Sequence, residues 1–395
     1  MMGVFQSMPS LGRRSLVELG PRIARLHWPL ILVLTGLAGA GVLTLYSVSL
    51  GDMDEYAKTH LIRYFIGAGG LFIVAMIPLR VWLSLAYPLY AAGIVLLLMV
   101  PVFGEVVNGS QRWIAIGGFR LQPSEMMKIA LVMALARYYH GLEFERVSTI
   151  SGLLAPLGMI AVPVGLVFIQ PDLGTALLIG FSGVAMILLA GLSWRYILVG
   201  VFAAFFGIAG GIQTGLVKAY QWERVTAFLD PTYDPLGANF HANQSKIAIG
   251  SGGVEGKGML EGTQSQLGFL PEKHTDFIFT IFGEEFGLRG ALLLLGAYLA
   301  VFLLTVHVAR SARSHFGRLM SLGIGVTLVL YVLVNTGMVM GLAPVVGVPL
   351  PLVSYGGTVM LAMMGGFGLV LSTWIDRDQD TLRTRGWKTD RLIHP

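Results

Sequence analysis

Apolar runs of about bilayer length recur from one end of this chain to the other, and that recurrence leaves few folds open. A helix needs about 17 to 25 predominantly apolar residues to cross a hydrocarbon core. Only helices and closed barrels satisfy every backbone group there. Runs at or near that length fall at residues 28–50, 60–79, 81–103, 125–139, 152–169, 173–192, 196–216, 277–309, 319–342 and 356–375. Composition agrees: 55% of the residues are hydrophobic, 12% are charged and the mean hydropathy is +0.73, whereas soluble domains carry about 25% charged residues. The expectation is an all-α polytopic membrane protein of about ten transmembrane helices.

Basic residues order these helices across the bilayer. Arg13, Arg14, Arg22 and Arg25 precede the first run, and Arg80, Arg137 with Arg146, Arg195, the trio Arg310, Arg313 and Arg318, and the tail from Arg377 occupy every second connection after it. Lys and Arg beside helix ends are retained in the cytoplasm, so both termini are expected inside. The resulting division is a cytoplasmic N-terminal segment 1–27, a membrane domain 28–375 with a large outer loop 217–275 between helices seven and eight, and a cytoplasmic tail 376–395. Both terminal segments are expected to be poorly structured. Membrane anchoring accounts for the net charge of +5, which therefore carries no argument for nucleic acid. The stretch Ala38, Gly39 and Ala40 resembles a signal-cleavage site, but the apolar run around it is too long for a signal peptide and reads as a retained anchor.

Absences narrow the chemistry. The chain has no cysteine, which excludes a thiol nucleophile, a thiolate metal site and any disulfide. Its eight histidines show no zinc-site spacing. The glycine-rich stretch 250–258 is not a phosphate loop, because Ser251 stands where the first glycine is needed and Gly258 where the final Ser or Thr is needed. Tight turns account for those glycines.

Polar residues that a bilayer ordinarily excludes remain, and such residues are functional candidates. Glu125 and Lys128 are three apart on one helix face and can pair, either to lock two helices or to meet a substrate. Asp276, Thr280 and Glu284 share another face; Asp276 or Thr275 can simply cap the helix, and Glu284 and Glu285 can pair with a neighbouring helix. The outer connections add Arg112, Trp113 and Gln122 in one loop and Trp222, Arg224, Lys246 and Lys257 in another. Outward-pointing helix N-termini beside them favour a bound anion such as phosphate. Residues 220–229 read as an amphipathic helix on the membrane surface.

The motifs GSQRWI (109–114), QPSE (122–125) with Lys128, QPDLGTA (170–176), QSKIAIGSGG (244–253), GTQSQL (262–267), PEKHTDFIF (271–279) and PLPLVSYGGT (349–358) resemble, in order, the SEDS proteins of shape, elongation, division and sporulation. GTQSQ and the Lys273–His274 pair make the chain more similar to the RodA branch than to the FtsW branch. Met259 departs from the aromatic expected there. The resemblance implies a GT-C-like architecture and a peptidoglycan glycosyltransferase of the bacterial inner membrane, polymerising lipid II on the extracytoplasmic face for cell elongation and rod shape. It also implies a class B penicillin-binding protein as transpeptidase partner, among other elongation-complex membrane proteins. Asp276 matches the essential acid of the family.

On that expectation Asp276 is the general base on the 4-hydroxyl of the acceptor GlcNAc, and undecaprenyl pyrophosphate leaves from the donor MurNAc as a β-1,4 bond forms. Arg112, Lys128, Lys246 and Lys273 are the candidates to neutralise the leaving group; a divalent cation, Mg2+ or Mn2+, held by Asp276 is the alternative. Glu125 would orient Lys128, and Gln122, His274 and Ser354 complete the expected substrate-binding set. A lipid II flippase, or a non-catalytic scaffold for a transpeptidase, are the competing readings.

Overall fold

Why each helix stops follows from local sequence. Pro78 and Pro123 stand at or beside helix starts, where a missing N–H costs nothing. Asp172, Thr149 and Ser314 cap their helices by accepting from the N–H three residues on. The computed structural model describes residues 20–107, 110–116, 119–193, 195–196, 199–200, 226, 228–230, 240–266 and 272–379. Its principal helices are α1 (Trp28–Val48), α2 (Lys58–Met76), α3 (Leu79–Phe103), α4 (Pro123–Gly141), α5 (Ile150–Ile169), α6 (Leu173–Leu189), α7 (Phe240–Gly252), α8 (Ile278–Ser311), α9 (His315–Val339) and α10 (Gly357–Ile375).

Seven helical stretches among the described residues are long and apolar enough to cross a membrane: α1, α2 with the turn before it, α3, α5, α8, α9 and α10. Helix α6 is apolar but only 17 residues long. Helix α4 packs against α3, α5, α6, α9 and α10 and is buried along most of its length. Surrounded by protein, it has no need of a uniformly apolar surface, which is why it can carry Glu125, Lys128 and His140. The expected helix at 196–216, the surface helix at 220–229 and the side chains of Trp222 and Arg224 lie outside the described residues, apart from isolated positions. Large apolar side chains point outward from the peripheral helices, among them Phe65 and Ile73 of α2, Leu154 of α5 and Leu293 of α8. That is the reverse of a soluble protein and suits a lipid solvent.

Asp376 fastens the arginine-rich end of the bundle. Its carboxylate accepts from Arg22 at 3.0 Å and caps α3 through the Leu79 N–H at 2.8 Å. His27 in turn caps α1. Residues 20–27, expected to be poorly structured, are thus tied to the bundle, because Asp376 and the start of α1 give them partners.

The opposite end departs from all-helical structure. The polar connection after α3 folds into a three-stranded antiparallel meander, β1 (Glu105–Val107), β2 (Ser110–Ile116) and β3 (Phe119–Leu121). Helix α8 also differs from expectation: it is broken at Gly287, with φ 63° and ψ −165°. The backbone groups freed by the break are taken up by the turn after α7. Lys257 and Gly258 donate to the carbonyls of Glu284 and Glu285, and Leu288 and Arg289 donate to those of Gly253 and Val254. A Cβ on Gly287 would stand 2.3 Å from the Gly256 nitrogen, so the junction requires glycine. Glu284 receives Lys257 Nζ at 2.7 Å and the Gln264 N–H at 3.1 Å, and Glu285 receives the Ser47 hydroxyl of α1. The two buried glutamates therefore fasten this turn and α1 to α8.

The connection 343–356 between α9 and α10 dips into the bundle, with Val348, Leu350, Leu352 and Val353 buried. Gly41 of α1 admits it: a Cβ there would lie 2.7 Å from the Leu352 oxygen and 2.8 Å from the Val353 Cα. Gly41→Val is expected to cost about 1–3 kcal/mol or more by overpacking against backbone that cannot move. Gly39→Ala, whose Cβ meets nothing within 4 Å, is expected to be near neutral. Thermal unfolding of the detergent-solubilised variants measures both.

Candidate active site

Asp276 sits on the short segment 272–277 that leads into α8, and this segment is held by backbone bonds from two directions. Asn335 of α9, fully buried, donates to the carbonyls of Asp276 at 2.8 Å and Val348 at 2.7 Å. From the 343–356 connection, Ser354 donates its hydroxyl to the Thr275 carbonyl at 2.6 Å and accepts from the Leu350 N–H at 2.7 Å. Tyr355 N–H donates to the His274 carbonyl at 2.9 Å. Thr275, one of the expected caps, donates its hydroxyl to the Glu272 carboxylate at 2.9 Å.

A cavity of about 400 Å³ opens beside this segment, within the range of about 300–1,000 Å³ usual for small-molecule sites. Four connections and helix ends converge on it: Arg112 and Trp113 from β2, Gln122 and Glu125 from the start of α4, Asp172 and Thr175 from the start of α6, and Glu272, Thr275 and Asp276 before α8. Tyr331 of α9, Gly347 and Tyr355 of the 343–356 connection, and Thr358 of α10 close it. Gly347, with φ +71°, would place a Cβ 3.1 Å from Asp276 Oδ2. Its missing side chain leaves the Asp276 carboxylate room on the cavity side.

Some of the expected site residues line this cavity, others lie behind it, and Lys246 does neither. Arg112, Gln122, Glu125 and Asp276 line it. Arg112 is engaged by Asp172, 3.6 Å from its carboxylate, and by the Pro171 carbonyl; Gln122 donates to the same Asp172 at 3.1 Å. Lys128 lies behind Glu125, 1% exposed, bonded to Glu125 Oε1 at 2.7 Å and to the Tyr331 hydroxyl, which itself donates to Glu125 Oε2. The triad links α4 to α9 while Glu125 and Tyr331 remain on the cavity lining. Ser354 is buried in the backbone support described above. His274 stacks on Tyr56 with ring centroids 4.7 Å apart, and burial holds its imidazole pKa below the usual value. Burial likewise lowers the pKa of the Lys273 ammonium. Neither side chain lines the cavity. Lys246 is exposed on α7 and lies along Gly341, away from the cavity lining. Asp172, Glu272, Tyr331, Gly347 and Thr358 were not among the expected site residues, although Asp172, Glu272 and Thr358 stand within the family motifs; nothing in sequence spacing pairs Tyr331 with Glu125.

Among the described residues no group of three or more His, Asp or Glu is placed to hold a metal ion. A Mg2+ or Mn2+ bound largely by substrate phosphates needs only one or two carboxylates, an arrangement that Asp276 suits; a cation caged by protein alone has no site among these residues.

A second cavity, of about 360 Å³, runs along α2, α3, α4 and α10 and is lined almost wholly by apolar side chains, among them Trp82, Leu96, Met126, Ile129 and Leu361. Thr358 lines both cavities.

Removing one partner of a buried ion pair costs about 3–5 kcal/mol, since the other charge is left uncompensated. Lys128→Met should therefore destabilise the protein by about that amount, and adding Glu125→Gln should restore part of it. A double-mutant cycle read by thermal unfolding tests the coupling.

Comparisons with known proteins agree with this architecture. The FtsW/RodA/SpoVE model, described as a cell cycle protein, matches residues 27–379. The peptidoglycan glycosyltransferase MrdB of Escherichia coli K12 is 45% identical over 345 residues, covering 87% of this chain and 92% of that protein. A probable peptidoglycan glycosyltransferase FtsW of Trichlorobacter lovleyi is 35% identical over 89% of this chain and 93% of its own length. Among solved structures, a chain from a peptidoglycan synthase complex that coordinates polymerization and crosslinking superposes with a TM-score of 0.76 at 32% identity, covering 90% of this chain and 99% of that one. The rod shape determining protein RodA of Thermus thermophilus gives 0.68 at 29% identity, covering 90% and 98%. The chain is a multi-pass membrane protein and belongs to the FtsW/RodA/SpoVE, or SEDS, family, on its RodA side.

Proposed function

We propose that the chain is a peptidoglycan glycosyltransferase that polymerises lipid II during cell elongation, with Asp276 as its general base. The observation that carries this reading is the position of the Asp276 carboxylate on a polar cavity that adjoins an apolar groove. Such a pair of compartments suits one molecule with a sugar head and a long hydrocarbon tail. The names of the relatives, MrdB above all, supply the polymer.

In the proposed step Asp276 takes the proton of the acceptor GlcNAc 4-hydroxyl as its oxygen bonds to C1 of the donor MurNAc. The bond from C1 to the phosphate oxygen breaks on the opposite face, giving a β-1,4 linkage and free undecaprenyl diphosphate. Pyrophosphate needs no separate acid once its charge is neutralised. A Mg2+ or Mn2+ arriving with the substrate would be held at Asp276 and would supply part of that neutralisation. Asn335, Ser354 and Tyr355 fix the backbone that carries the base, and Gly347 brings no side chain against it.

By the positive-inside argument the arginine-rich end of the bundle, with both termini, faces the cytoplasm of a bacterial inner membrane and the cavity faces outward. Residues 28–375 would form the membrane-embedded catalytic unit. The synthase complex found as a structural relative supports a class B penicillin-binding protein as partner, which would crosslink the strands made here.

Polymerisation of labelled lipid II, with and without the cognate transpeptidase and divalent cations, tests the reading. Wild type should give a glycan ladder, and Asp276→Asn should lower the rate by about 10²- to 10⁴-fold, the usual worth of a general base. Gly347→Ala should impair the rate while the protein remains folded. No ladder from wild type under any of these conditions would return transport or scaffolding as the function.

A further inference from the structure

A lipid diphosphate carries its negative charge between sugar and tail, and the cavity has little free positive charge to meet it. Among the described residues Arg112 is the one lining cation, and Asp172 and the Pro171 carbonyl already engage it. Lys128 is consumed by Glu125 and Tyr331, and Lys246 lies away from the lining. The lining carboxylates, Glu125, Asp172, Glu272 and Asp276, outnumber that cation.

The first turn of α10 is of opposite character. Its N-cap residue is Gly356, which has no side chain to satisfy the first N–H groups, and no acidic residue stands in the turn. A helix of 19 residues presents roughly half a positive charge at that end. The start of α6 also borders the cavity, but Asp172 already caps it through the Thr175 N–H. Tyr355, Gly356, Thr358 and Val359 all line the cavity.

Two side chains mark this turn for an anion. Thr358 is 5% exposed and its Oγ1 has no hydrogen-bond partner, a state that native proteins avoid unless a ligand or water completes it. Arg63 of α2 lies over the Tyr355 ring at 4.4 Å, and its Nε is 2.9 Å from where a Cβ of Gly357 would stand. Glycine at 357 is what allows a full positive charge to rest against the helix start. Thr358 is, in addition, the one described residue common to the polar cavity and the apolar groove. A diphosphate whose sugar lies in the first and whose tail lies in the second has to pass this point.

We propose that the first turn of α10, through the N–H groups of Gly357 and Thr358 and the Thr358 hydroxyl, binds the diphosphate of an isoprenyl-diphosphate lipid, with Arg63 as a positioning charge behind the turn. The inference rests on the lipid-linked substrate proposed above and assigns the place of its leaving group. It moves charge neutralisation from the four expected basic residues to a helix terminus.

The test is binding of undecaprenyl diphosphate to the purified full chain in nanodiscs, with undecaprenol as the uncharged comparator and inorganic pyrophosphate as a competitor. Thr358→Val keeps the shape and removes the hydroxyl; Thr358→Ser keeps the hydroxyl. The expected result is a loss of about tenfold or more for the Val variant, the worth of one hydrogen bond to a charged group, with the Ser variant close to wild type. Pyrophosphate should displace the lipid from wild type and do so less effectively from the Val variant. Undecaprenol should bind all three alike. Undiminished diphosphate binding by the Val variant, or an equal loss for undecaprenol, would overturn the proposal. Lipid II polymerisation, assayed separately, keeps the two readings apart. A wild type that makes no ladder fails the glycosyltransferase assignment, whereas a wild type that makes one beside a Val variant with full diphosphate affinity fails this inference alone.

Discussion

The amide of Asn335 donates to two carbonyls, those of Asp276 and Val348, and the candidate site depends on that pair of bonds. Both carbonyls belong to non-helical segments packed within a membrane bundle, where an unmet backbone group costs several kcal/mol. One side chain thus satisfies two such groups and fixes the distance between the segments that carry Asp276 and Gly347. Ser354 repeats the device, bonding one segment through its hydroxyl while accepting from its own. The site is irregular backbone held by buried polar groups beside a cavity, a setting in which a membrane protein tolerates non-helical backbone.

The same constraint explains the break in α8. A helix interrupted at Gly287 exposes donors and acceptors, and the turn 253–258 covers them with its own backbone. Lys257, Glu284 and Glu285 then pin that turn to α8 and to Ser47 of α1. The polar residues that look out of place in an apolar helix are therefore of two kinds. Glu284 and Glu285 close a structural joint, whereas Asp276, about two helical turns before them, borders the cavity.

Electrostatics divide the cavity between ion pairs that are already satisfied and a helix start that has no side-chain cap. Glu125, Lys128 and Tyr331 form a closed triad, and Arg112, Gln122 and Asp172 form another. Closed sets of this kind hold helices in place at little net electrostatic gain, because desolvation offsets attraction. Asp276 and the start of α10 line the same cavity.

What the sequence by itself determined was local or compositional: the membrane helices, the arginine-rich end and the pairing of Glu125 with Lys128, three residues apart on one helix. Its ordered motifs also carried the family. Helix α4 was readable as apolar but not as central, since centrality depends on what surrounds it, and the meander at 105–121 was too short to stand out against helices. Only the tertiary structure decided which charges meet: that Lys128 is spent on Tyr331, that Lys246 lies away from the cavity, that Gly347 makes room for Asp276, and that Arg63 and Thr358 share the start of α10. Each of these joins residues from separate helices, and their meeting is set by how the helices pack, which no spacing along the chain encodes.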